Sequence, residues 1–116
     1  MSILSMAIDC GTTSTRCIVF DQNGATIATK QAELPLQHPQ AEWVEQDPND
    51  ILKKTLALCH NVITQHPSIQ CIGITNQRET VMLWDPNTGT PIGPAINWQC
   101  RRTSDWCKQH LSPHAS

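Results

Sequence analysis

The chain has 116 residues, of which 39% are hydrophobic, and its formal net charge is -2. This length accommodates one small domain, and the composition is that of a globular protein, which excludes a disordered chain. The scattered Lys and Arg residues offer no basic surface for nucleic acid, and no apolar run approaches the roughly 20 residues that span a bilayer. The start of the chain has no basic or apolar region typical of a secretion signal, so we expect a cytoplasmic protein.

Three short strands are predicted at the start of the chain. Leu4–Ile8 is an apolar run typical of a buried strand, and a polar turn follows it. Arg16–Phe20 is a second β-rich run, and Ala25–Glu33 is a third, with turn chemistry supplied by Asn23-Gly24 between them. Three strands joined by short turns predict an antiparallel meander.

A helix is predicted after a proline-containing loop, 34–48. Asp47 is suited to cap it and Pro48 to occupy its first position, and His66-Pro67 ends it after about Gln65. Apolar and small residues recur at three- and four-residue spacing, which predicts one continuous buried face. These residues are Ile51, Leu52, Thr55, Leu56, Cys59, Val62 and Ile63.

The last third of the chain predicts two more strands and a helix. Ile69–Thr75 is typical of a buried strand, Thr80–Trp84 is predicted to be another, and Thr103 is placed to cap a helix from Ser104 to about Leu111. The tail, 112–116, is expected to fray. The fold class is therefore α/β, with a mixed sheet built from an antiparallel three-strand meander, a right-handed crossover helix and a returning parallel strand.

The turn between the first two strands has the residues of a phosphate site. It lacks the Gly-Lys-Ser/Thr ending of a P-loop, but Gly11 lets the backbone approach an anion closely, and Arg16 adds a cation. Asp9, at the end of a strand, is suited to hold Mg²⁺ through water. An ordinary hairpin with a polar turn is the alternative. Three hydroxyl side chains follow the glycine as candidate donors to phosphate oxygens: Thr12, Thr13 and Ser14.

Two later segments have side chains suited to a small polyol. Arg78 donates hydrogen bonds and Glu79 accepts them, which matches hydroxyl groups that do both, whereas the alternative is a surface loop with an incidental ion pair. Trp98 is able to form an apolar wall against a carbon skeleton. Its alternative is a core or rim Trp before a basic helix start, although Arg101 and Arg102 would oppose the dipole of such a helix.

Six cysteines raise the question of disulfides or metal ligands. No Cys-x-x-Cys pair and no Cys/His cluster at zinc spacing occurs, and several of the cysteines lie within apolar runs. We therefore expect buried, reduced thiols that act as small hydrophobes, and a metal or redox role is the alternative. The residues are Cys10, Cys17, Cys59, Cys71, Cys100 and Cys107.

Four blocks of this sequence resemble the glycerol kinases, which belong to a family of carbohydrate kinases with an actin-like, ribonuclease-H-like fold. The resemblance covers nearly the whole chain, from about Met6 to His110. The blocks are Asp9-Cys10-Gly11-Thr12-Thr13-Ser14-Thr15-Arg16, Trp43-Val44-Glu45-Gln46-Asp47-Pro48, Gly73-Ile74-Thr75-Asn76-Gln77-Arg78-Glu79-Thr80 and Trp98-Gln99-Cys100-Arg101-Arg102-Thr103.

The resemblance implies ATP-dependent phosphorylation of glycerol to sn-glycerol 3-phosphate in glycerol catabolism, with ATP and Mg²⁺ as cofactors. It implies that the phosphate contacts are Thr12, Thr13, Ser14 and Arg16, with Asp9 helping to place Mg²⁺. It implies that Arg78 and Glu79 bind the glycerol hydroxyls and that Trp98 packs on the glycerol carbons.

The resemblance also implies that 1–116 is an incomplete amino-terminal part of the first kinase domain. The family's catalytic base and its second domain, which binds adenosine, are expected downstream, and the full-length parent is expected to be a homo-oligomer. The chain alone is therefore predicted to be inactive. Three positions depart from the family pattern, none of them with an implied role: Cys10 replaces Gln, Asn97 replaces an apolar residue, and Ala41-Glu42 replaces Pro-Gly. The alternatives are a kinase for another polyol or sugar of the family, and an inactive truncated product or interaction fragment.

Overall fold

The computed structural model describes residues 3–111, and the tail 112–116, which was expected to fray, lies outside them. The elements follow one another in the order β-β-β-β-α-β-β-α. They are β1 Leu4–Cys10, β2 Ser14–Phe20, β3 Thr26–Glu33, β4 Glu45–Gln46, α1 Pro48–Gln65, β5 Ile69–Thr75, β6 Ala95–Ile96 and α2 Ser104–His110.

The main sheet has the strand order β3-β2-β1-β5. β1, β2 and β3 pair antiparallel, and β5 returns parallel to β1, so the predicted meander, crossover helix and parallel strand are confirmed. The right-handed sense of the crossover stays a prediction. The register sets Asp9 beside Arg16 on one side and beside Thr75 on the other. The turns that follow β1 and β5 therefore meet at one edge of the sheet.

The predicted bounds of α1 are confirmed at both ends. Local signals set these bounds. The Asp47 carboxylate accepts a hydrogen bond of 2.9 Å from the Asn49 backbone N–H, and Pro48 is the first helical residue. At the other end the His66 N–H donates to the Val62 carbonyl at 2.9 Å. The helix packs on β1, β2 and β3. The buried core between helix and sheet consists of Val62 from the helix and Leu4, Met6, Ile8, Cys17 and Val19 from the strands.

Two predictions of burial are wrong. Leu52, Leu56 and Ile63 of α1 are exposed, so the buried face of the helix is narrower than its apolar periodicity indicates. β5 is exposed over most of its length, and Ile74 keeps 74% of its surface accessible. The reason is that β5 lies at the sheet edge, beyond the strands that α1 covers. The radius of gyration is 18.0 Å, against about 13 Å for a compact domain of this length.

The prediction of a strand at Thr80–Trp84 is also wrong. This segment forms only isolated bridges, from Val81 to Ile96 and from Trp84 to Pro91. The opposing segment contains Pro91 and Pro94, which have no N–H group to donate, so a continuous ladder cannot form. The predicted last helix is confirmed from Ser104 to His110, although the Thr103 side chain makes no capping hydrogen bond.

The cysteines are unpaired thiols, as expected, but they are not uniformly buried. Cys17 is fully buried and its sulfur lies 3.7 Å from that of Cys59, whereas Cys71 on β5 is exposed. Within residues 3–111 no group of three or more His, Cys, Asp or Glu side chains is arranged to hold a metal ion. Over the same residues, neither helix combines the length and the apolar character that crossing a bilayer requires.

Candidate functional site

An open cleft of about 500 Å³ lies where the turns after β1 and β5 meet. Ligands of open α/β sheets bind outside the carboxyl ends of parallel strands, and this cleft has that position. It contains at least one predicted binding residue from each of the three predicted segments. Its lining residues are Asp9, Cys10, Gly11, Thr12, Asn76, Gln77, Arg78, Glu79 and Trp98.

The turn after β1 is tight because its backbone closes on itself. The Gly11 N–H donates to the Ser14 carbonyl at 2.9 Å, and the Thr13 carbonyl accepts from the Leu34 N–H at 2.8 Å. Among residues 3–111 no acceptor takes up the backbone N–H groups of Thr12 and Thr13. The turn therefore offers two backbone donors beside its hydroxyl groups, which is the chemistry of an anion site.

The three predicted phosphate hydroxyls do not all face the same space. Thr12 lines the cleft, whereas Thr13 and Ser14 line a neighbouring hollow of about 600 Å³. Lys54 of α1 also lines this hollow and adds a cation there, with its ammonium 2.8 Å from the Glu33 carbonyl oxygen.

Asp9 and Arg16 form an ion pair across β1 and β2, with the guanidinium nitrogen 2.8 Å from one carboxylate oxygen. Both side chains are partly exposed, so solvent screens the attraction. Asp9 lines the cleft, and Arg16 reaches it only through this contact. The pair holds one carboxylate oxygen of Asp9 and leaves the other without a salt-bridge partner in the described part of the chain.

Arg78 and Glu79 lie in the turn after β5, and both are exposed to the cleft. Within the described residues they form no salt bridge with each other, so their charged groups do not neutralise one another. Glu79 has φ of 63°, in the left-handed region that costs a non-glycine residue about 1 kcal/mol. Residues in this conformation are frequent at functional sites, and Glu79 lines the cleft.

Trp98 joins the two halves of the cleft. Its indole Nε1–H donates to the Thr12 hydroxyl at 2.9 Å, and its backbone N–H donates to the Thr80 hydroxyl at 3.2 Å. Half of its surface stays accessible. Trp98 is therefore a cleft-wall residue and not part of the core, with an apolar ring face beside the polar turn.

Arg102 anchors the segment after Trp98 onto the loop before α1. Its guanidinium lies 3.8 Å from the centroid of the Trp43 ring and forms an ion pair with Glu45, and both partners of the ion pair are largely buried. Burial opposes ionisation of the adjacent Cys100 thiol, but hydrogen bonds from Arg102 and the Val44 backbone hold its pKa below the usual value. Arg102 precedes α2 and therefore lies outside the helix.

Three amide side chains at the floor of the cleft, those of Gln46, Gln77 and Asn97, had no role predicted from the sequence. Gln46 and Asn97 are each 1% exposed, and Gln77 is half-buried. They hydrogen-bond to one another and to the carbonyl groups of Gly11 and Thr12. Gln46 and Gln77 belong to blocks that carry the family resemblance, and Asn97 was noted as a departure from the pattern that the resemblance implies.

Known proteins resemble the chain along most of its length. Residues 4–114 match the N-terminal domain of the FGGY family of carbohydrate kinases. Glycerol kinases of Marinomonas sp. and Nitrosomonas eutropha are each 50% identical to it, over 107 and 108 residues, or 89% and 90% of this chain. Each match covers 22% of the relative, so the chain spans about a fifth of the length of the curated relatives it matches.

The solved structures give the same result for the fold. The crystal structure of Plasmodium falciparum glycerol kinase with ADP has a TM-score of 0.91 at 28% identity, covering 98% of this chain and 24% of that one. Gluconate kinase from Lactobacillus acidophilus has a TM-score of 0.88 at 18% identity, covering 97% of this chain and 23% of that one, which shows a shared fold alone. These likenesses confirm the predicted actin-like kinase fold. The match over residues 4–114 shows that the chain belongs to the FGGY family of carbohydrate kinases.

Proposed function

We propose that this chain forms the phosphate-binding and polyol-binding side of a glycerol kinase active site, where the terminal phosphoryl group of ATP is transferred to glycerol. The observation that carries the proposal is the 2.9 Å hydrogen bond between Trp98 and Thr12. It joins the candidate phosphate turn to the candidate polyol wall in one cleft, which Arg78 and Glu79 also line. Phosphoryl transfer needs the donor phosphate and the acceptor hydroxyl in this kind of proximity.

On the phosphate side, the donors are the hydroxyl groups of Thr12, Thr13 and Ser14 and the backbone N–H groups of Thr12 and Thr13. Thr12 serves the phosphate nearest glycerol because it alone of the three lines the cleft. Arg16 acts on the nucleotide phosphates and fixes the Asp9 carboxylate. Preorganised donors of this kind stabilise charge that develops during transfer.

On the polyol side, the Arg78 guanidinium donates to glycerol oxygens and the Glu79 carboxylate accepts from glycerol hydroxyls. Neither side chain has a protein partner among the described residues, so both are available to a ligand. Trp98 packs its exposed ring face on the carbon skeleton. A pocket built to hydrogen-bond hydroxyl groups discriminates strongly against analogues that lack them.

Asp9 fits a role in holding Mg²⁺, because Mg²⁺ takes one or two carboxylates and completes its shell with water and phosphate oxygens. One Asp9 oxygen is bound by Arg16, and the other has no salt-bridge partner among residues 3–111. When bound, the metal ion would neutralise negative charge on the transferred phosphate.

The rest of the enzyme is proposed to come from outside this chain. In this proposal, 1–116 is the amino-terminal part of the first kinase domain, and the catalytic base and the adenosine-binding domain lie beyond it. The isolated chain is then inactive, and the complete enzyme is a cytoplasmic homo-oligomer. The exposed apolar surface of β5 supports an incomplete domain, since monomeric proteins rarely leave a strand so uncovered.

A chimera tests the proposal. Residues 4–111 of this chain replace the matching segment of the Marinomonas sp. glycerol kinase, which is 50% identical. We expect ATP-dependent formation of glycerol phosphate, with a kcat within about tenfold of the parent enzyme, and no turnover by the isolated 116-residue chain. A folded chimera that phosphorylates a pentulose in preference to glycerol, or that phosphorylates neither, contradicts the proposal.

A matched pair of variants of the chimera sharpens the test of the polyol site. Glu79→Gln removes an acceptor at the cleft wall and is expected to raise the KM for glycerol by about 10-fold to 100-fold, since a charge-assisted hydrogen bond contributes about 1.5–3 kcal/mol. Glu42→Gln makes the same chemical change at an exposed residue that does not line the cleft. Equal KM values for the two variants would show that Glu79 does not bind glycerol.

A further inference from the structure

Three amide side chains form a hydrogen-bonded cluster at the floor of the cleft, where Gln46 and Asn97 are buried and Gln77 is half-buried and lines the cleft. Gln46 lies at the end of β4, Gln77 follows β5, and Asn97 follows β6. They come from three separate segments of the chain, so only the tertiary fold brings them together. Burial of an unpaired amide costs free energy, and no buried side-chain nitrogen or oxygen among residues 3–111 is left without a partner. The cluster is therefore fully paired.

Gln77 is the centre of the cluster and uses its whole hydrogen-bonding capacity. Its Nε2 donates to the Gly11 carbonyl at 3.1 Å and to the Gln46 Oε1 at 2.9 Å. Its Oε1 accepts from the Thr80 hydroxyl at 2.6 Å and from the Asn97 Nδ2 at 3.2 Å. An amide offers two donors and two acceptor sites, and all four are occupied. This pairing fixes the orientation of the side chain.

The cluster holds the phosphate turn from below. The Gln46 Nε2 donates to the Thr12 carbonyl at 2.7 Å, while Gln77 holds the neighbouring carbonyl of Gly11. Asn97 ties the two glutamines together, since its Nδ2 donates to the Gln46 Oε1 at 3.1 Å as well as to Gln77. Both carbonyls are bound on this side, and the Thr12 and Thr13 N–H groups have no acceptor among residues 3–111, so these two donors are available to a ligand.

The same cluster holds the polyol wall. Gln77 immediately precedes Arg78 and Glu79 in the chain, and Asn97 immediately precedes Trp98. Thr80 completes the connection, because its hydroxyl donates to Gln77 and accepts from the Trp98 backbone N–H. Each candidate polyol contact therefore lies one or two residues along the chain from an amide of the cluster. Gln77 binds the phosphate turn directly, and Asn97 binds the two glutamines that hold the turn.

We propose that Gln46, Gln77 and Asn97 are positioning residues that set the distance between the phosphate turn and the polyol wall. This inference rests on the proposed kinase function and deepens it. The three amides fix the position of the phosphate turn through the Gly11 and Thr12 carbonyls. Substitution of an amide is therefore expected to lower kcat more than it changes the KM for glycerol. A displacement of about 1 Å at reacting groups costs about 100-fold in rate, which sets the scale of the expected effect.

The first arm of the test measures kinetics in the chimera. Gln77→Glu keeps the size of the side chain but turns its two donors into an acceptor that faces the Gly11 carbonyl and the Gln46 Oε1. We expect kcat to fall about 10-fold to 100-fold, with the KM for glycerol changed less than about threefold. Gln22→Glu, in the exposed turn between β2 and β3, makes the same change of charge as a control and is expected to leave both constants unaltered.

Asn97→Leu is a milder variant in case Gln77→Glu does not fold. It removes the hydrogen bond that the Oε1 of each glutamine accepts from Asn97. The bonds of both glutamines to the turn carbonyls stay in place, so kcat is expected to fall about threefold to 10-fold. Unchanged kcat in a folded variant overturns the proposal, even where the melting temperature drops, since that result assigns the cluster to stability alone. A rise in the KM for glycerol with constant kcat overturns it as well.

The second arm uses the 116-residue chain and requires no activity. The Trp98 indole N–H resonance, identified by its loss in Trp98→Phe, reports the bond to Thr12. We expect Gln77→Glu to move it toward the position of a water-exposed indole, and Gln22→Glu to leave it in place. An unmoved resonance in folded Gln77→Glu overturns the cluster's role. If the unmodified chimera lacks kinase activity, the proposed function fails, and this resonance still decides whether the amides position the turn.

Discussion

Gly11 is the position where the smallest change is expected to disturb the site most. A Cβ added there would lie 2.9 Å from the Ser14 carbonyl oxygen, closer than carbon and oxygen approach in proteins. That same oxygen accepts the Gly11 N–H, so the clash is relieved only by opening the turn. The φ of Gly11 is not in the left-handed region, so close contact and not backbone conformation requires glycine here.

The expected cost of Gly11→Ala follows from these contacts. Forcing an extra methyl group into a tight site costs about 1–3 kcal/mol. Loss of the Gly11–Ser14 hydrogen bond adds about 1 kcal/mol. The smaller entropy of the unfolded alanine chain offsets about 0.4–1 kcal/mol of this. We therefore expect the free energy of unfolding to fall by about 2 kcal/mol.

Urea unfolding of the chain, followed by circular dichroism, measures this loss. Gly93→Ala is the matched control, because nothing lies within 4 Å of its added Cβ and its φ is not positive. The control is expected to be neutral, or stabilised by about 0.4–1 kcal/mol. If Gly11→Ala unfolds at the same urea concentration as Gly93→Ala, the turn is not closed as described, and the geometry assigned to the phosphate site is refuted.

Two further predictions concern strain and ionisation. Glu42 has φ of 66°, so Glu42→Gly is expected to raise the free energy of unfolding, measured in urea, by up to about 1 kcal/mol. The control Ala41→Gly, at a residue without positive φ, is expected to lower it by about 0.5–1 kcal/mol. Equal shifts in the two variants would show that Glu42 is unstrained. Burial, and then the neighbouring thiols of Cys59 and Cys10, raise the pKa of Cys17 to about 12. The Cys17 thiol loses its proton near pH 9 in the unfolded chain but only near pH 12 in the folded one. The free energy of unfolding is therefore retained below pH 9 and falls as the pH rises toward 12. Cys17→Ala is expected to remove this part of the pH dependence. Thiol labelling at pH 8 checks the burial, since it should modify Cys71 quickly and Cys17 only on unfolding.

The local structure was largely predictable because local signals set it. Asp47 and Pro48 begin α1, and His66-Pro67 ends it, through hydrogen bonds and steric limits within a few residues. Alternating and apolar runs between polar turns gave the three strands of the meander. The cleft residues Thr12, Arg78, Glu79 and Trp98 were also identified in advance, since each belongs to a block that resembles the glycerol kinases, and the cleft does bring these four together.

Burial and the pairing of polar groups depended on contacts between distant segments. The apolar run Ile69–Thr75 predicted a buried strand, but the burial of a strand depends on the elements that pack on it. Here α1 packs on β1, β2 and β3, and β5 stays exposed. Thr80–Trp84 had the residues of a strand, but the prolines opposite it prevent a ladder. Neither fact is contained in the segment itself.

The sequence by itself determined the meander, α1, the family resemblance and four side chains of the cleft wall, namely Thr12, Arg78, Glu79 and Trp98. Only the tertiary structure decided that Gln46, Gln77 and Asn97 meet at the floor of the cleft, and that Trp98 bonds to Thr12 across 86 positions of the chain. The physical reason is that an amide has the same composition and local propensity whether it faces water or a partner amide. Its role follows from the groups that the fold sets within hydrogen-bond distance.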